Sequence, residues 1–312
     1  MGIVDIIPDI HGQAAKLRAA LDTLGWRRGA AGWRPPSPAR RIVFLGDFID
    51  RGPENAAVIA LVRDLIDAGH ARAIMGNHEL NALHFHTPHP ETGHPLRPHL
   101  PKNLTQHASF LAEFPVGSAA TREVLRWMQG LPLFLEEPGL RAVHACWSAP
   151  AIAQLRACAP DGVLNEAQLV EAAAPASPLF AAVEEVTKGP EHPLPDGHAF
   201  TDKDGTERRE IRLQWWNANA RNWRDVAISV PDPHRLPDMP LPPGLRARTY
   251  PPTERPVFFG HYWLSGRPVL QAANALCLDY SAGKDGPLVT YLFGDGDRAV
   301  TLDRIRSHAV PD

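Results

Sequence analysis

The sequence predicts an α/β fold. Short runs of apolar and β-branched residues alternate with stretches of helical spacing through the first 75 residues, and each of the first three runs ends in a polar cluster containing glycine. Residues 3–7 read as a short buried strand stopped by Pro8. Residues 12–24 carry apolar side chains at helical intervals (Ala15, Leu17, Ala20, Leu21, Leu24). "RRGAAGWRPPSPAR" reads as a loop, because Gly and Pro punctuate it. Residues 42–45 form a second strand. Residues 53–68 form a second helix, with Pro in its first turn and Gly69 just past its end. Residues 71–75 form a third strand.

The rest of the chain is less regular. A Pro- and His-rich segment, residues 84–101, reads as a loop. Helices are expected at 105–113 and 121–129, and strands at 133–135 and 140–143. Residues 150–256 have weaker patterning and frequent Pro, and read as an inserted region with short helices at 165–174 and 178–186. β-like runs return at 257–259, 275–280, 288–293 and 299–302. "AGKDG", between two of these, reads as a hairpin turn. No internal repeat is visible.

Composition narrows the classes. The chain of 312 residues is 44% apolar and 21% charged, ordinary values for a globular protein. A formal net charge of −3 gives no general nucleic-acid or anionic-membrane surface. Three Cys (146, 158 and 277) lack the spacing of a disulfide framework or a zinc site. No apolar stretch approaches the ~20 residues of a membrane span. The chain opens on "MGIVDIIPDIHG" without a leader pattern, so a reducing cytoplasm is the expected location.

The chemistry sits at strand ends. "PDIHG" (8–12), "GDFIDRG" (46–52) and "GNHE" (76–79) follow the first three predicted strands. In open α/β sheets the functional crevice lies outside the carboxyl ends of the strands, so the three clusters should converge. His144, after "LRAV", and His261, in "VFFGHYW", resemble them. Asp9, His11, Asp47, Asn77, His144 and His261 make six oxygen and nitrogen ligands. One four-coordinate metal leaves two over, whereas two metals sharing a carboxylate use all six. The mixed donor set suits Mn, Fe or Zn better than Ca. Two such metals can clamp the attacking and leaving oxygens of a displacement at phosphorus, with a bridging hydroxide as nucleophile.

These five blocks, in this order, resemble the calcineurin-like metallophosphoesterases. Within them they resemble the branch of serine/threonine phosphoprotein phosphatases and bacterial diadenosine tetraphosphatases, with its D-x-H-G, G-D-x-x-D-R-G, G-N-H-E/D, H and G-H series. The resemblance covers roughly residues 3–85, 133–147 and 257–294. It implies an α+β sandwich: two central mixed β-sheets flanked by helices, in a single domain over 1–312 with residues 150–256 as an inserted cap. It implies that Asp9 and His11 hold a first metal, that Asp47 bridges, and that Asn77, His144 and His261 hold a second. His78 would be the general acid, oriented by Asp50. Arg51 would grip phosphate through its planar fork, and Glu79 would support the ligands from behind. Gly12, Gly46, Gly52, Gly76 and Gly260 would let backbone approach the metals. A second phosphate-binding Arg is expected after a W-S-D-P-like element. The nearest match here, "WWNANARNWRDVAI", lacks the Asp-Pro and nominates Arg224, with Arg221 as rival. "HACWS" departs from the family's usual HAG or HGG and puts Trp147 near the second metal.

The implied activity is di-metal phosphoester hydrolysis, with Mn the expected ion and Fe or Zn the alternatives. Its substrate would be a phosphorylated small molecule, such as a dinucleoside polyphosphate, or a phosphoprotein. Trp215, Trp216 and Trp223 would either stack on adenine or fill the core of the cap, the second being favoured. A sensor that binds phosphorylated partners without turnover is the reading from another class, and the intact His78 and Asp50 speak against it. A nuclease would want a basic groove that the composition does not announce. The His of "HFHTPHPETGHPLRPH" are expected on a mobile loop at the mouth, since Pro prevents a fixed ligand face. "DKDGTE" lacks the ligands of a calcium loop.

Overall fold

The structure is a computed structural model that describes residues 2–29, 32–202, 205–246 and 248–308. Two β-sheets lie face to face with helices outside them. The first has the strand order Ile305–His308, Leu288–Gly294, Ile3–Ile7, Arg40–Phe44, Ala71–Ala73. Its last three strands are parallel, with Ile3 opposite Arg40 and Ile42 opposite Ala71. Parallel neighbours need crossovers, and the helices Ala14–Thr23 and Asn55–Asp67 supply them. The other two strands are antiparallel additions. The second sheet has the order Ala275–Cys277, Val257–Phe259, Arg141–Val143, Phe134–Glu136.

Side-chain alternation explains the layers. Val4 and Ile6 point between the sheets, where they meet Val43, Phe258, Leu276, Tyr291 and Phe293. Ile7 and Phe44 point the other way, into a larger core under the helices. The first helix buries Ala14, Leu17, Ala20 and Leu21, and the second buries Val58, Ile59, Leu61, Val62 and Leu65. Both stripes have helical spacing and account for the docking of each helix on the sheet. Burying side chains of the size of Leu17 or Leu65 contributes about 1.5–3 kcal/mol each.

The structure corrects several expectations. The 27–40 loop contains two short paired strands, Arg27–Gly29 and Gly32–Arg34, with Ala30 and Ala31 outside the described residues. "AGKDG" does not close a hairpin, because the strands on either side of it belong to different sheets. Residues 299–302 are not a strand. A short 3-10 turn at Leu302–Arg304 leads into the edge strand Ile305–His308. "GNHE" opens a helix, Asn77–His86, so His84 and His86 lie on a helix and not on a loop. The segment behind it is pinned by the Pro88–Pro95 bridge and by the Arg97 N–H donating to the His84 carbonyl at 2.9 Å.

Residues 150–256 carry the helices Pro178–Lys188 and Glu166–Glu171, most of Ala149–Cys158, and a three-stranded sheet of Glu191–Pro193, Glu210–Leu213 and Ala227–Ile228. A small apolar cluster of their own includes Phe200, Ile211, Leu213, Trp223 and Leu236. Lys203 and Asp204 of "DKDGTE" lie outside the described residues.

Candidate metal centre

The polar clusters meet where the strands end. Strands Ile3–Ile7, Arg40–Phe44 and Ala71–Ala73 finish side by side, and the turn after each carries Asp9 and His11, Asp47, and Asn77. The second sheet delivers His144 and His261 after Arg141–Val143 and Val257–Phe259. The turns are held tightly: the N–H groups of Ile10 and His11 both donate to the Asp47 carbonyl at 2.9 Å. Glu79 is fully buried, and its carboxylate accepts from the N–H of Asp47 (2.8 Å), Phe48 (2.8 Å) and Gly76 (2.9 Å). It staples two of the turns together and caps its own helix.

Asp47 is the hub. Its Oδ2 lies 3.5 Å from His11 Nε2, 3.4 Å from His144 Nε2 and 4.0 Å from His78 Nε2. Asn77 Oδ1 lies 3.0 Å from His144 Nε2 and 2.8 Å from His261 Nδ1. The N–H of His261 donates to Asp9 Oδ2 at 3.0 Å. Among the described residues, two groups of three present ligand atoms within 4.8 Å of one another: His11, Asp47 and His78, and Asp9, Asp47 and His144. No Cβ fits at two glycines of the ring. At Gly260 it would fall 1.8 Å from Asp9 Oδ1, and at Gly76 it would fall 2.2 Å from Asp47 Oδ1.

The donor set fits a divalent cation. His11 and His144 place Nδ1 against the carbonyls of Ile49 (2.9 Å) and Leu45 (2.7 Å). As donors there, they turn Nε2 inward. Asp9 Oδ1, His11 Nε2 and His261 Nε2 are three of the five buried side-chain polar atoms without a hydrogen-bond partner among the described residues. Such atoms are rare in native interiors, and all three belong to residues of this centre. The electrostatics agree. Burial pulls His144 down, but the Asp47 carboxylate outweighs it and lifts its pKa to about 10. Burial, with repulsion from Asp279 and Asp47, raises Asp9 well above the usual carboxylate range. Burial and the neighbouring His78 press His11 down to about 3, which leaves it neutral. The centre calls for positive charge, and metal binding there would displace the proton on His144.

Backbone strain marks the same residues. Of the eight non-glycine residues with positive φ among those described, six are His11, Asp47, Asp50, Arg51, His261 and Trp263. Such conformations cost of order 1–3 kcal/mol each and persist where the surroundings over-determine them.

Beside the centre, His78 Nδ1 donates to Asp50 Oδ2 at 2.6 Å. Burial lowers the His78 pKa, but Asp47 and Asp50 overcome it and leave it raised. His78 lines a cleft of about 1330 Å³ whose wall also includes Asn77, His261 and residues of the 150–256 segment. Arg51 reaches into it with its guanidinium 4.5 Å from the centre of the Trp263 ring, and that ring stacks on His11 at 5.2 Å.

The structure separates the Arg candidates. Arg224 donates to the Leu236 carbonyl at 3.0 Å and pairs with Asp238 at 3.2 Å, and neither Arg224 nor Arg221 lines the cleft. Arg212 does, 3.1 Å from Glu191, and burial and then its charge lower His261. Arg97, Arg208, Arg209 and Lys284 also line the cleft, interspersed with Glu184, Glu207 and Glu210. The sequence signal for Arg212 was its place in the alternating "REIRL" run before the tryptophans. Trp263 lies two residues after His261, and no motif marks it. Trp147 is buried against Phe134 and Arg141 and does not reach the cleft. Trp215, Trp216 and Trp223 are buried as core.

Comparison with known proteins agrees with this geometry. Residues 4–146 match the calcineurin-like phosphoesterase family. The chain is 30% identical over 145 residues to an asymmetrical bis(5'-nucleosyl)-tetraphosphatase of Bacillus velezensis, which covers 45% of this chain and 55% of that one. It is 43% identical over 75 residues to the same kind of protein from Oceanobacillus iheyensis, covering 24% and 30%. It is 29% identical over 162 residues to a symmetrical bis(5'-nucleosyl)-tetraphosphatase of Thioalkalivibrio sulfidiphilus, covering 50% and 45%. The matches thus span about half or less of these relatives' lengths. In fold, the chain is similar to a protein serine/threonine phosphatase from Saccharomyces cerevisiae, with a TM-score of 0.51 and 14% identity over 100% of this chain and 81% of that one. Residues 4–146 carry a calcineurin-like phosphoesterase domain.

Proposed function

We propose that the protein is a di-metal phosphoester hydrolase whose first substrate class is a dinucleoside polyphosphate. The observation that carries the reading is the convergence of Asp9, His11, Asp47, Asn77, His144 and His261 on one buried point beside the His78–Asp50 pair. Asp9 and His11 would hold one ion, Asn77, His144 and His261 the other, and Asp47 both. Bound there, two divalent ions, manganese by preference, would neutralise phosphoryl charge and lower the pKa of the attacking water.

The protein's own groups do the rest. Arg51 is aimed by the Trp263 face and would take two phosphoryl oxygens through its fork. Arg212, on the 150–256 side of the cleft, would take the role first expected of Arg224 or Arg221. His78 donates Nδ1–H to Asp50, so its Nε2 faces the centre and would hand its proton to the leaving oxygen. The segment 150–256 would act as a cap that closes the cleft over the substrate.

Support for the nucleotide comes from the named relatives and from the cleft. At about 1330 Å³ it exceeds the 300–1,000 Å³ of a typical small-ligand pocket, and several basic side chains besides Arg51 line it. The test is metal-supported turnover of diadenosine tetraphosphate beside a phosphoserine/phosphothreonine peptide. The reading expects kcat/KM at least about 100-fold higher on the dinucleotide, or about 2.7 kcal/mol in the transition state. Preference for the peptide would make the protein a phosphoprotein phosphatase, and ligand retained without cleavage would make it a sensor.

A further inference from the structure

Asp50 has a second histidine. Its Oδ2 accepts from His78, and its Oδ1 accepts from His107 Nδ1 at 2.8 Å. His107 comes from a different helix, Pro101–Glu113, 57 residues further along the chain. It is 4% exposed, and its ring stacks on Phe110 with centres 4.7 Å apart. Its Nε2 lies 3.3 Å from His86 Nε2. The N–H of Asp50 donates to Asn55 Oδ1 at 2.7 Å, so the backbone of this carboxylate is fixed as well.

The hydrogen-bond directions are consistent from end to end. An ionised carboxylate only accepts, so both imidazoles present Nδ1–H to it. The outer nitrogens of His107 and His86 then share one hydrogen bond at 3.3 Å, which fixes the far side of the His107 ring. Burial above all presses the His86 pKa down to about 4, which keeps His86 neutral beside His107. Burial pushes the Asp50 carboxyl up, but the bonds from His107 and His78 outweigh it and hold it at about 2. A carboxylate held at one oxygen can rotate about its terminal bond. Held at both, it cannot, and neither can the imidazole whose plane it sets.

The geometry points to His107 as a positioning residue: by gripping the far oxygen of Asp50, it fixes the orientation in which His78 offers its proton. This rests on the phosphoesterase reading, with His78 as the acid. No element of the sequence motif announces it, since His107 lies outside all five blocks.

Two substitutions separate positioning from packing. His107→Phe keeps a ring on Phe110 and removes the donor. His107→Asn loses the ring and keeps an N–H where Nδ1 was. With phenyl phosphate, a substrate with a poor leaving group, His107→Phe should lower kcat about 10-fold or more, part of the 10²–10⁴-fold that a positioned acid supplies. KM should stay within about 3-fold, and 4-nitrophenyl phosphate should lose less. His107→Asn should recover kcat to within about 3-fold of wild type. Unchanged kcat in His107→Phe, a loss carried by KM, or equal impairment in His107→Asn would overturn the proposal. A second readout needs no turnover. In ¹⁵N-histidine-labelled, magnesium-loaded protein, two downfield Nδ1–H protons are expected, from His78 and His107. His107→Phe should remove one and speed exchange of the other at least about 10-fold, as its partner loosens. A His78 proton of unchanged exchange rate would overturn the positioning role. If wild type hydrolyses no phosphoester with any divalent ion, the enzyme reading fails, and the exchange measurement alone decides the role of His107.

Discussion

Glu79→Ala offers a quantitative test of how the centre is held. The Glu79 carboxylate is fully buried and takes three backbone N–H groups, from Asp47, Phe48 and Gly76. Truncation leaves all three donors without a partner. Each such loss costs about 1–3 kcal/mol, and bonds to a charged acceptor sit at the upper end. Two effects oppose it. Burial and repulsion from Asp47 have pushed the carboxyl up to about 7, so the wild type already bears a cost for ionising it. Water can also enter the space left behind. The net loss should be about 3 kcal/mol, a large share of the 5–15 kcal/mol of a typical domain. Urea denaturation of metal-free protein should show the midpoint falling by about 1 M. Metal affinity, measured by calorimetry, should fall about 10–100-fold, because Asp47 is presented by the turn that Glu79 staples. Glu79→Gln keeps acceptors for two of the three donors and should lose about half as much stability. A Glu79→Ala variant within about 1 kcal/mol of wild type, with unchanged metal affinity, would show that Glu79 does not hold the turns.

Further outcomes follow from the cleft and the core. Arg212→Ala should lower kcat/KM about 10–100-fold, as expected for a lost charge-assisted phosphate contact, while Arg224→Ala stays within about 3-fold; steady-state kinetics with the preferred substrate check both, and the reverse order would restore Arg224. Trp263→Leu removes the face 4.5 Å from the Arg51 guanidinium and should cost about 0.5–1 kcal/mol, or roughly 2–5-fold in kcat/KM; no change would mean that Arg51 is aimed by something else. Burial presses His84 down to about 4, with its Nε2 donating to the Leu169 carbonyl at 3.1 Å. Its folded pKa lies below the unfolded 6.5, so the unfolded chain binds the extra proton first. Its contribution is therefore complete above pH 6.5 and is lost as the pH falls towards 4, by about 3 kcal/mol in all. Unfolding free energies across that range should show it, and His84→Gln, which keeps the donor and cannot titrate, should flatten the curve.

Much of the centre was legible because its chemistry is local to strand ends. Asp9, His11, Asp47 and Asn77 sit within five residues of buried runs that a period-two reading finds, and the sheet order brings them together. His144 and His261 were legible for the same reason in the second sheet. What was not legible depends on long-range packing. Arg212 reaches the cleft because the sheet of the 150–256 segment docks there, and no motif encodes that docking. Arg224 carries the more family-like sequence context, yet Leu236 and Asp238 hold it elsewhere. His84 and His86 looked like loop residues because Pro follows them closely; the helix Asn77–His86 ends just before Pro88, as a proline requires. "AGKDG" looked like a hairpin because turn chemistry is local, while the choice of sheet on either side of it is not.

The most direct test of the central claim pairs metal content with turnover in Asp47→Asn. Asp47 is the carboxylate that His11, His78 and His144 all face. The account predicts about two divalent ions per wild-type chain, the number expected of a two-metal site, and turnover abolished by a chelator. In Asp47→Asn it predicts loss of most of the metal and at least about 1,000-fold of kcat, several kcal/mol of transition-state stabilisation. Wild-type metal content and near-wild-type turnover in that variant would contradict it.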